Sequence, residues 1–247
     1  MRKTVSLGDI LLYIYDFAVI DARMYMLRAD GAALIIDPNE NAALLPDLEG
    51  VSRAFVYLTH EHYDHISGVN WLKSKLPCDV WCSEICASRL GNIRENLSKT
   101  FPFLFLQDKE KYDYVRKELK LPYTCVADHT FAEKLRTIWH GHTLYARKAG
   151  GHSPGGSLLL LDGRLLFGGD SLLGNGLELK SLGADREAYC TEVLPYVHTL
   201  PSETIVCPGH GEITTLGELL PVIEAYITAS KAFSGKMPEP PQHPRPM

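Results

Sequence analysis

The chain has 247 residues, 45% hydrophobic and 22% charged, which suits one sizeable α/β domain or two small ones. Its formal net charge of −5 excludes a general attraction to nucleic acid or to anionic membranes. No apolar run approaches the roughly 18 residues of a membrane span, and the N-terminal residues do not resemble a signal peptide. We therefore expect a cytoplasmic protein with neither nucleic-acid nor membrane partners.

Predicted strands dominate the first part of the chain. Residues 11–36 read as strands, and Asp30-Gly31 between two apolar runs predicts a two-residue hairpin. Ala54–Leu58 predicts a short buried strand that opens into a loop at its carboxyl end. Apolar residues from 66 to 76 follow near-helical spacing, and we expect this helix to stop at Pro77.

Residues 84–130 form a segment that the predicted sheets do not obviously require. Its first part, up to residue 120, is rich in charged and aromatic residues and is predicted to be helical. Because the segment lies between the histidine cluster described below and His152, we interpret it as a helical insertion that can act as a lid or substrate wall. Helices packing on a small core of their own are the equally weighted alternative.

The second half of the chain again alternates strands and helices. Asp162-Gly163 predicts another hairpin, and residues 184–198 predict a helix. A strand at Thr204–Val206 precedes a last amphipathic helix at 216–227, with a break near Pro221. This alternation favours two sheets, or one folded sheet, covered by helices.

The domain organisation and the cysteines reveal little about the function of the protein. Residues 1–235 are interpreted as one domain, followed by a Pro-rich tail at 236–247 that we expect to be disordered. The six cysteines are expected to be free thiols because no secretion signal precedes them. Cys82 and Cys86 are four residues apart, but small buried residues are favoured there over a metal or redox role.

The segment directly after the strand Ala54–Leu58 carries three histidines and an aspartate within six positions. In an extended backbone, residues two apart project to one side, so His60 and His62 can hold one ion. The chain then turns into a helix, where Asp64 and His65 can face a second ion. Imidazole and carboxylate groups suit zinc, iron or manganese, so the segment predicts a metal site.

Three further residues stand at strand-to-loop junctions and can complete two metal sites. His152 lies in a glycine-rich stretch that frees the backbone to bring the ring inward, and Asp170 follows an apolar run and two glycines. His210 lies between Gly209 and Gly211 after the predicted strand at Thr204–Val206. Each residue alone is more often an ordinary loop residue, and their common placement is what indicates a joint role.

The order of these residues resembles the metallo-β-lactamase superfamily over about residues 32–220. The resemblance implies an α/β fold, the αβ/βα sandwich, with two divalent metal ions at one edge, zinc being favoured over iron or manganese. It implies that His60, His62 and His152 bind the first ion. It implies further that the second ion is bound by Asp64, His65 and His210, and that Asp170 bridges both. Asp37 matches an acidic position at a strand end and is expected to hold a ligand histidine in orientation.

The same resemblance implies a binuclear metal-dependent hydrolase. Two ions would lower the pKa of a bridging water to about 7 and supply hydroxide to a carbonyl or phosphoryl centre of a small-molecule substrate. One ion would polarise the substrate oxygen and the other would stabilise the leaving group. Asp64 is expected to act catalytically by orienting the hydroxide and taking up its proton.

Departures from known subfamilies narrow the choice of reaction. β-Lactamases with a cysteine ligand carry that cysteine where this chain has Asp170, and flavodiiron oxygen reductases carry glutamate in place of His62. Glyoxalase II is similar around Gly151–Gly155, yet about 37 residues follow His210, too few for its glutathione-binding domain. Homoserine-lactone lactonases carry a tyrosine shortly after the bridging aspartate, and this chain has Ser171-Leu172-Leu173 there.

The favoured function is hydrolysis of a small ester-like substrate, with thioester the preferred subclass. A phosphodiesterase is the main alternative, and it predicts a basic rim from Arg89, Arg94, Lys99 or Arg186. A lactonase, an iron-dependent persulfide dioxygenase and a metal-binding sensor without turnover remain open. A complete second ligand set argues against the dioxygenase and the sensor, and the oligomeric state is left open.

Overall fold

The computed structural model describes residues 2–17, 19–177, 179 and 181–234. The tail predicted at 236–247 lies outside these residues. Within them the chain forms two β-sheets with helices on the outer face of each, so the predicted αβ/βα sandwich is confirmed. None of the helices in the described part of the chain is long and apolar enough to cross a membrane.

The first sheet contains seven strands in the order in which they occur along the chain. The first four pair antiparallel, and the remaining pairings are parallel. Its strands are β1 (Arg2–Leu7), β2 (Ile10–Asp16), β3 (Arg23–Ala29), β4 (Ala32–Ile36), β5 (Arg53–Tyr57), β6 (Cys78–Ser83) and β7 (His129–Phe131).

The second sheet contains six strands, and only its pairing of β11 with β12 is parallel. The order across the sheet is β13-β12-β11-β10-β9-β8. Its strands are β8 (Lys134–Trp139), β9 (His142–Lys148), β10 (Ser157–Leu161), β11 (Leu165–Gly169), β12 (Ile205–Pro208) and β13 (Thr214–Thr215).

The predicted hairpin at Asp30-Gly31 is confirmed. Both residues have positive φ, 47° and 72°, as a two-residue turn between antiparallel strands requires. Asp162 and Gly163 also have positive φ, and they join β10 to β11. These turns set the register that places alternate side chains on opposite faces of each sheet.

The side chains of β4 illustrate how each sheet serves two cores. Leu34 and Ile36 face the layer between the two sheets, while Ala33 and Ile35 pack beneath the helices on the outer face. On β11, Leu166 faces the outer helices in the same way. A strand buried on both faces reads as a continuous apolar run, which is why these strands show no polar alternation.

The helices differ in several places from the sequence prediction. The single helix expected from residue 66 to 76 is two short helices, and the segment 84–120, expected to be helical, contains irregular chain between its helices. The break expected near Pro221 was wrong, because the last helix continues through that proline. The helices are α1 (Tyr63–Ile66), α2 (Val69–Lys73), α3 (Glu84–Leu90), α4 (Lys109–Glu118), α5 (Arg186–Ala188), α6 (Leu194–Val197) and α7 (Leu216–Ser234).

Tertiary packing accounts for the unbroken last helix. Pro221 removes one backbone hydrogen bond close to the start of α7. Leu216, Leu219 and Ile223 on the same helix are fully or almost fully buried against the second sheet. Burying apolar surface stabilises the fold by about 25 cal/mol for each Å2 removed from water, and this gain offsets the lost hydrogen bond.

Shorter helical segments complete the architecture. Residues Tyr189–Val193 form a π-helical turn between α5 and α6, so the helix predicted at 184–198 runs from Arg186 to Val197. Phe101–Phe105 is a 3-10 helix inside the insertion between β6 and β7. All six cysteines are free, as predicted, and Cys82 lies on β6 while Cys86 lies on α3.

Candidate metal centre

The predicted ligand residues lie at the carboxyl ends of strands from both sheets. His60 and His62 follow β5 and lead into α1, which carries Asp64 and His65. His152 lies in the loop from β9 to β10, Asp170 follows β11, and His210 follows β12. Because β11 and β12 are parallel neighbours, the residues after them meet at the same edge of the second sheet.

Four of these side chains form one buried cluster. The ligand atoms of His60, His62, His152 and Asp170 all lie within 4.8 Å of one another. The His60 and His62 ring centres are 4.6 Å apart, and those of His62 and His152 are 4.8 Å apart. The arrangement suits a single ion bound by three imidazoles and one carboxylate.

Asp64, His65 and His210 form a second cluster beside the first. The Asp64 Oδ2 atom lies 3.5 Å from His65 Nε2 and 3.2 Å from His210 Nε2. Asp170 reaches both clusters, with Oδ1 3.3 Å from His65 Nε2 and Oδ2 3.5 Å from His152 Nε2. Its carboxylate therefore stands between the two groups.

Asp37 contacts His65 from the side away from the cavity. Its Oδ2 lies 3.2 Å from His65 Nδ1, which directs the other ring nitrogen toward Asp64 and Asp170. The Thr59 backbone amide donates to Asp37 Oδ1, and the Thr59 hydroxyl donates to Asp37 Oδ2. These two hydrogen bonds hold the Asp37 carboxylate in the position from which it contacts the His65 ring.

Unpaired buried atoms test whether these residues suit a metal ion. His60 Nε2 and His62 Nε2 are buried and have no hydrogen-bond partner, and the buried Asp170 Oδ1 has only the 3.3 Å contact with His65 Nε2. Leaving a buried polar atom unpaired costs about 1–3 kcal/mol, so the two imidazole nitrogens need another partner. Imidazole nitrogens and a carboxylate oxygen are the donor set of zinc, iron and manganese, and the residues therefore fit a metal ion.

The charges of the cluster point the same way. Burial lowers the pKa of His60 well below its usual value and that of His62 to about 3, so both rings are neutral, the form that binds metals. Burial also disfavours charge on His65 and His210, but the Asp170 and Asp64 carboxylates outweigh it. They raise the pKa of His65 well above its usual value and that of His210 to about 10. The Asp64 and Asp170 carboxylates therefore favour a positive charge in the second cluster, which a bound metal ion would supply.

Two glycines let the loops approach closely. Gly209 packs against the Asp170 carboxylate and His65, and a side chain there would overlap both. Gly169 has φ 49°, and a side chain on it would meet the Thr59 hydroxyl and His60. Glycine is therefore required at the ends of β11 and β12, directly before Asp170 and His210, because any larger residue would overlap the cluster.

The clusters lie at the floor of an open cavity of about 1080 Å3. Leu97, Thr100 and the 3-10 helix Phe101–Phe105 contribute one wall. The loop after Asp170 and Tyr226 on α7 contribute to the other parts of the lining. The insertion between β6 and β7 thus borders the site.

The basic rim that a phosphodiesterase predicts is not found among the described residues that line the cavity. Arg89 forms ion pairs with Glu61 and Glu95, at 2.6 Å and 3.2 Å. Arg186 donates to the Ile227 carbonyl at 2.6 Å. Neither guanidinium is directed to the cavity floor.

His140 and His142 do not belong to a metal-binding cluster of the described residues. His140 Nδ1 lies 3.1 Å from Asp30 Oδ2, and His142 Nδ1 lies 2.6 Å from Asp162 Oδ2. Both histidines lie at the turn between β8 and β9.

A family model described as the metallo-beta-lactamase superfamily matches residues 21–210, more than three quarters of the chain. The chain belongs to this superfamily. The finding agrees with the two-sheet fold and with the placement of the histidine and aspartate side chains at one edge.

Individual superfamily relatives are distant. A probable metallo-hydrolase, YqgX of Bacillus subtilis, is 27% identical over 203 residues, which are 79% of this chain and 87% of that protein. A hydroxyacylglutathione hydrolase of Tolumonas auensis is 25% identical over 198 residues, 77% of this chain but only 61% of that enzyme. The crystal structure of BLEG-1 B3 metallo-beta-lactamase matches with a TM-score of 0.67 at 25% identity, over 90% of this chain and 97% of that one.

Two features of this superfamily member escaped the sequence analysis. Asp21, before β3, contacts His210 on the side opposite the cluster. Glu61, between the two motif histidines, is fully buried and pairs with Arg89 on α3, while the Ser153 hydroxyl donates to it. A glutamate inside the histidine motif was a signal, because a charged residue directly after a buried strand needs a partner. Asp21 carried no local signal.

Proposed function

We propose that the protein is a binuclear metal-dependent hydrolase of small ester-like substrates, with thioesters favoured. The observation that carries this proposal is the convergence of seven potential ligands, five of which line an open cavity, with buried imidazole nitrogens that lack hydrogen-bond partners. Zinc is the ion that this donor set favours, with iron or manganese as alternatives.

The proposed ligand assignment follows the two clusters. His60, His62 and His152 would hold the first ion, and Asp64, His65 and His210 the second. Asp170 would bridge, a role supported by its contacts to both groups at 3.3 Å and 3.5 Å. Asp37 would keep the His65 ring in orientation.

Two bound divalent ions would supply Lewis acidity, which lowers the pKa of a water to about 7 and polarises a carbonyl group. The chain itself would position the reactants and handle protons. Asp64 borders the cavity and offers a carboxylate that can accept the proton of the attacking water. Water oxygen bonds to the acyl carbon, the carbon–sulfur bond breaks, and the departing thiolate takes up a proton.

Thioesters are favoured by resemblance and by the lining of the cavity. The relative from Tolumonas auensis is named a hydroxyacylglutathione hydrolase, although the match covers 61% of its length. A phosphodiester carries negative charge that needs cationic side chains, and the described lining residues include no lysine or arginine. Only a comparison of substrates can distinguish a lactonase from a thioesterase.

The test is metal content and turnover of protein purified without added metal. About two ions per chain, with hydrolysis of thioester probes above lactone and phosphodiester probes, is the expected result. His60→Ala and Asp170→Ala should lose bound metal and activity together, whereas His142→Ala, outside both clusters, should keep both. No bound metal even after reconstitution would overturn the proposal. One redox-active iron per chain would favour a dioxygenase.

A further inference from the structure

We infer that the cavity selects thioesters with an apolar acyl chain and an uncharged thiol part, an inference that rests on the proposed hydrolase function. The cavity is continuous with the metal clusters, since His62, Asp64 and Asp170 belong to its lining. Whatever reacts at the clusters must therefore fit this lining.

One wall is apolar and partly open to solvent. Phe103 and Leu104 are 57% and 66% exposed, and they line the cavity together with Leu97 and Phe101. Exposed apolar side chains gathered at a pocket mark a contact surface rather than scattered surface residues. An acyl chain entering here would remove both its own surface and that of the wall from water.

Leu97, in this wall, has an unusual backbone conformation. Its φ of 60° is in the left-handed region, which bulky residues rarely adopt. Buried side chains on either side hold it there. Asn96 donates to the carbonyls of Leu90 and Tyr123 and accepts from the Ser98 amide, and the Ser98 hydroxyl also donates to Tyr123. Such strain persists where the surroundings over-determine it, often beside a ligand.

Another part of the cavity rim is acidic. Asp21 and Glu212 border the cavity, and no described lining residue is a lysine or arginine. The Arg23 guanidinium, which pairs with the lining residue Glu212 at 2.7 Å and with Asp16 at 3.6 Å, is almost fully buried. A leaving group with free carboxylates, such as glutathione, would find no available cation among these residues.

The test compares two matched series of thioesters on metal-loaded protein. Acetyl, butanoyl, hexanoyl and octanoyl thioesters of uncharged N-acetylcysteamine are measured beside the same acyl thioesters of glutathione. We expect kcat/KM to rise up to about fourfold per added methylene. The uncharged series should exceed the glutathione series at every chain length.

Two variants connect the chain-length dependence to the wall. Phe103→Ala/Leu104→Ala should flatten the rise with chain length, because both apolar contacts are removed. Ile138→Ala, at an equally exposed apolar residue on β8, should keep the wild-type slope. A flat wild-type series, an unaltered slope in the double variant, or equal or better turnover of glutathione thioesters would each overturn the inferred specificity and leave the hydrolase proposal standing. Absence of turnover in both series would overturn the hydrolase proposal itself.

Discussion

Asp21 holds the outer side of the His210 ring, with its Oδ1 atom 3.1 Å from His210 Nδ1. Its Oδ2 atom accepts a hydrogen bond from the Gly211 amide at 3.1 Å. With Nδ1–H donating to this carboxylate, Nε2 faces Asp64 and Asp170 and is the nitrogen that a metal ion would take once the ring is neutral. Asp37 makes the corresponding contact to His65, so both histidines of the second cluster have a carboxylate behind them.

Asp21→Asn is expected to weaken binding of the second ion by about 10- to 100-fold. An asparagine amide can donate to Nδ1 and so favour the tautomer whose Nε2 carries the proton. Metal titration of the purified variant measures the effect. Asp30→Asn is the matched control, because Asp30 makes the same 3.1 Å contact with His140 away from the clusters. Equal metal affinity in both variants would contradict an orienting role for Asp21.

Arg89→Ala is expected to reduce the free energy of unfolding by about 3 kcal/mol, since it leaves the fully buried Glu61 carboxylate without its ion-pair partner. Denaturant unfolding of the metal-loaded protein measures the loss. Arg53→Ala, which removes the exposed Arg53–Asp79 pair, should cost far less because solvent screens that pair. Similar losses in the two variants would show that the buried Arg89–Glu61 pair contributes no more to the free energy of unfolding than the exposed Arg53–Asp79 pair.

Gly209→Ala is expected to lower metal affinity at least about tenfold, because its methyl group would overlap the Asp170 carboxylate and displace His65. Gly91→Ala serves as control, since Gly91 has φ −84° and nothing lies within 4 Å of an added side chain. Metal content after dialysis distinguishes the two variants. Full metal retention in Gly209→Ala would mean that the β11 and β12 loops can separate without loss of the site.

Acidification is expected to remove the two ions in order. A ligand histidine must lose its proton to bind metal, so protons compete with an ion wherever the pKa is high. The pKa of His210 is raised to about 10 and that of His62 is lowered to about 3, so affinity at the second cluster falls first as the pH decreases. Metal content across a series from about pH 9 to about pH 4 measures this order. Simultaneous release of both ions would contradict it.

Short-range spacing in the sequence was informative about chemistry. His60 and His62, two residues apart after an apolar strand, were predicted to face one ion, and their ring centres are 4.6 Å apart. Asp30-Gly31 was recognised as a hairpin because positive φ is a local property of those two residues. The interruptions of the helical segment 84–120 and the continuity through Pro221 were missed, because packing against the sheets decides them.

The sequence by itself determined the residue types, their order and the local geometry of the histidine motif, since these depend on neighbours along the chain. The tertiary structure alone decided that Asp170 and His210 arrive beside His65, through parallel pairing of β11 with β12 and a Gly209–Gly169 backbone hydrogen bond of 2.8 Å. It also decided that Asp21 stands behind His210, across 189 positions of sequence. Local spacing cannot encode such contacts, because they follow from how two sheets pack rather than from any property of the residues that meet.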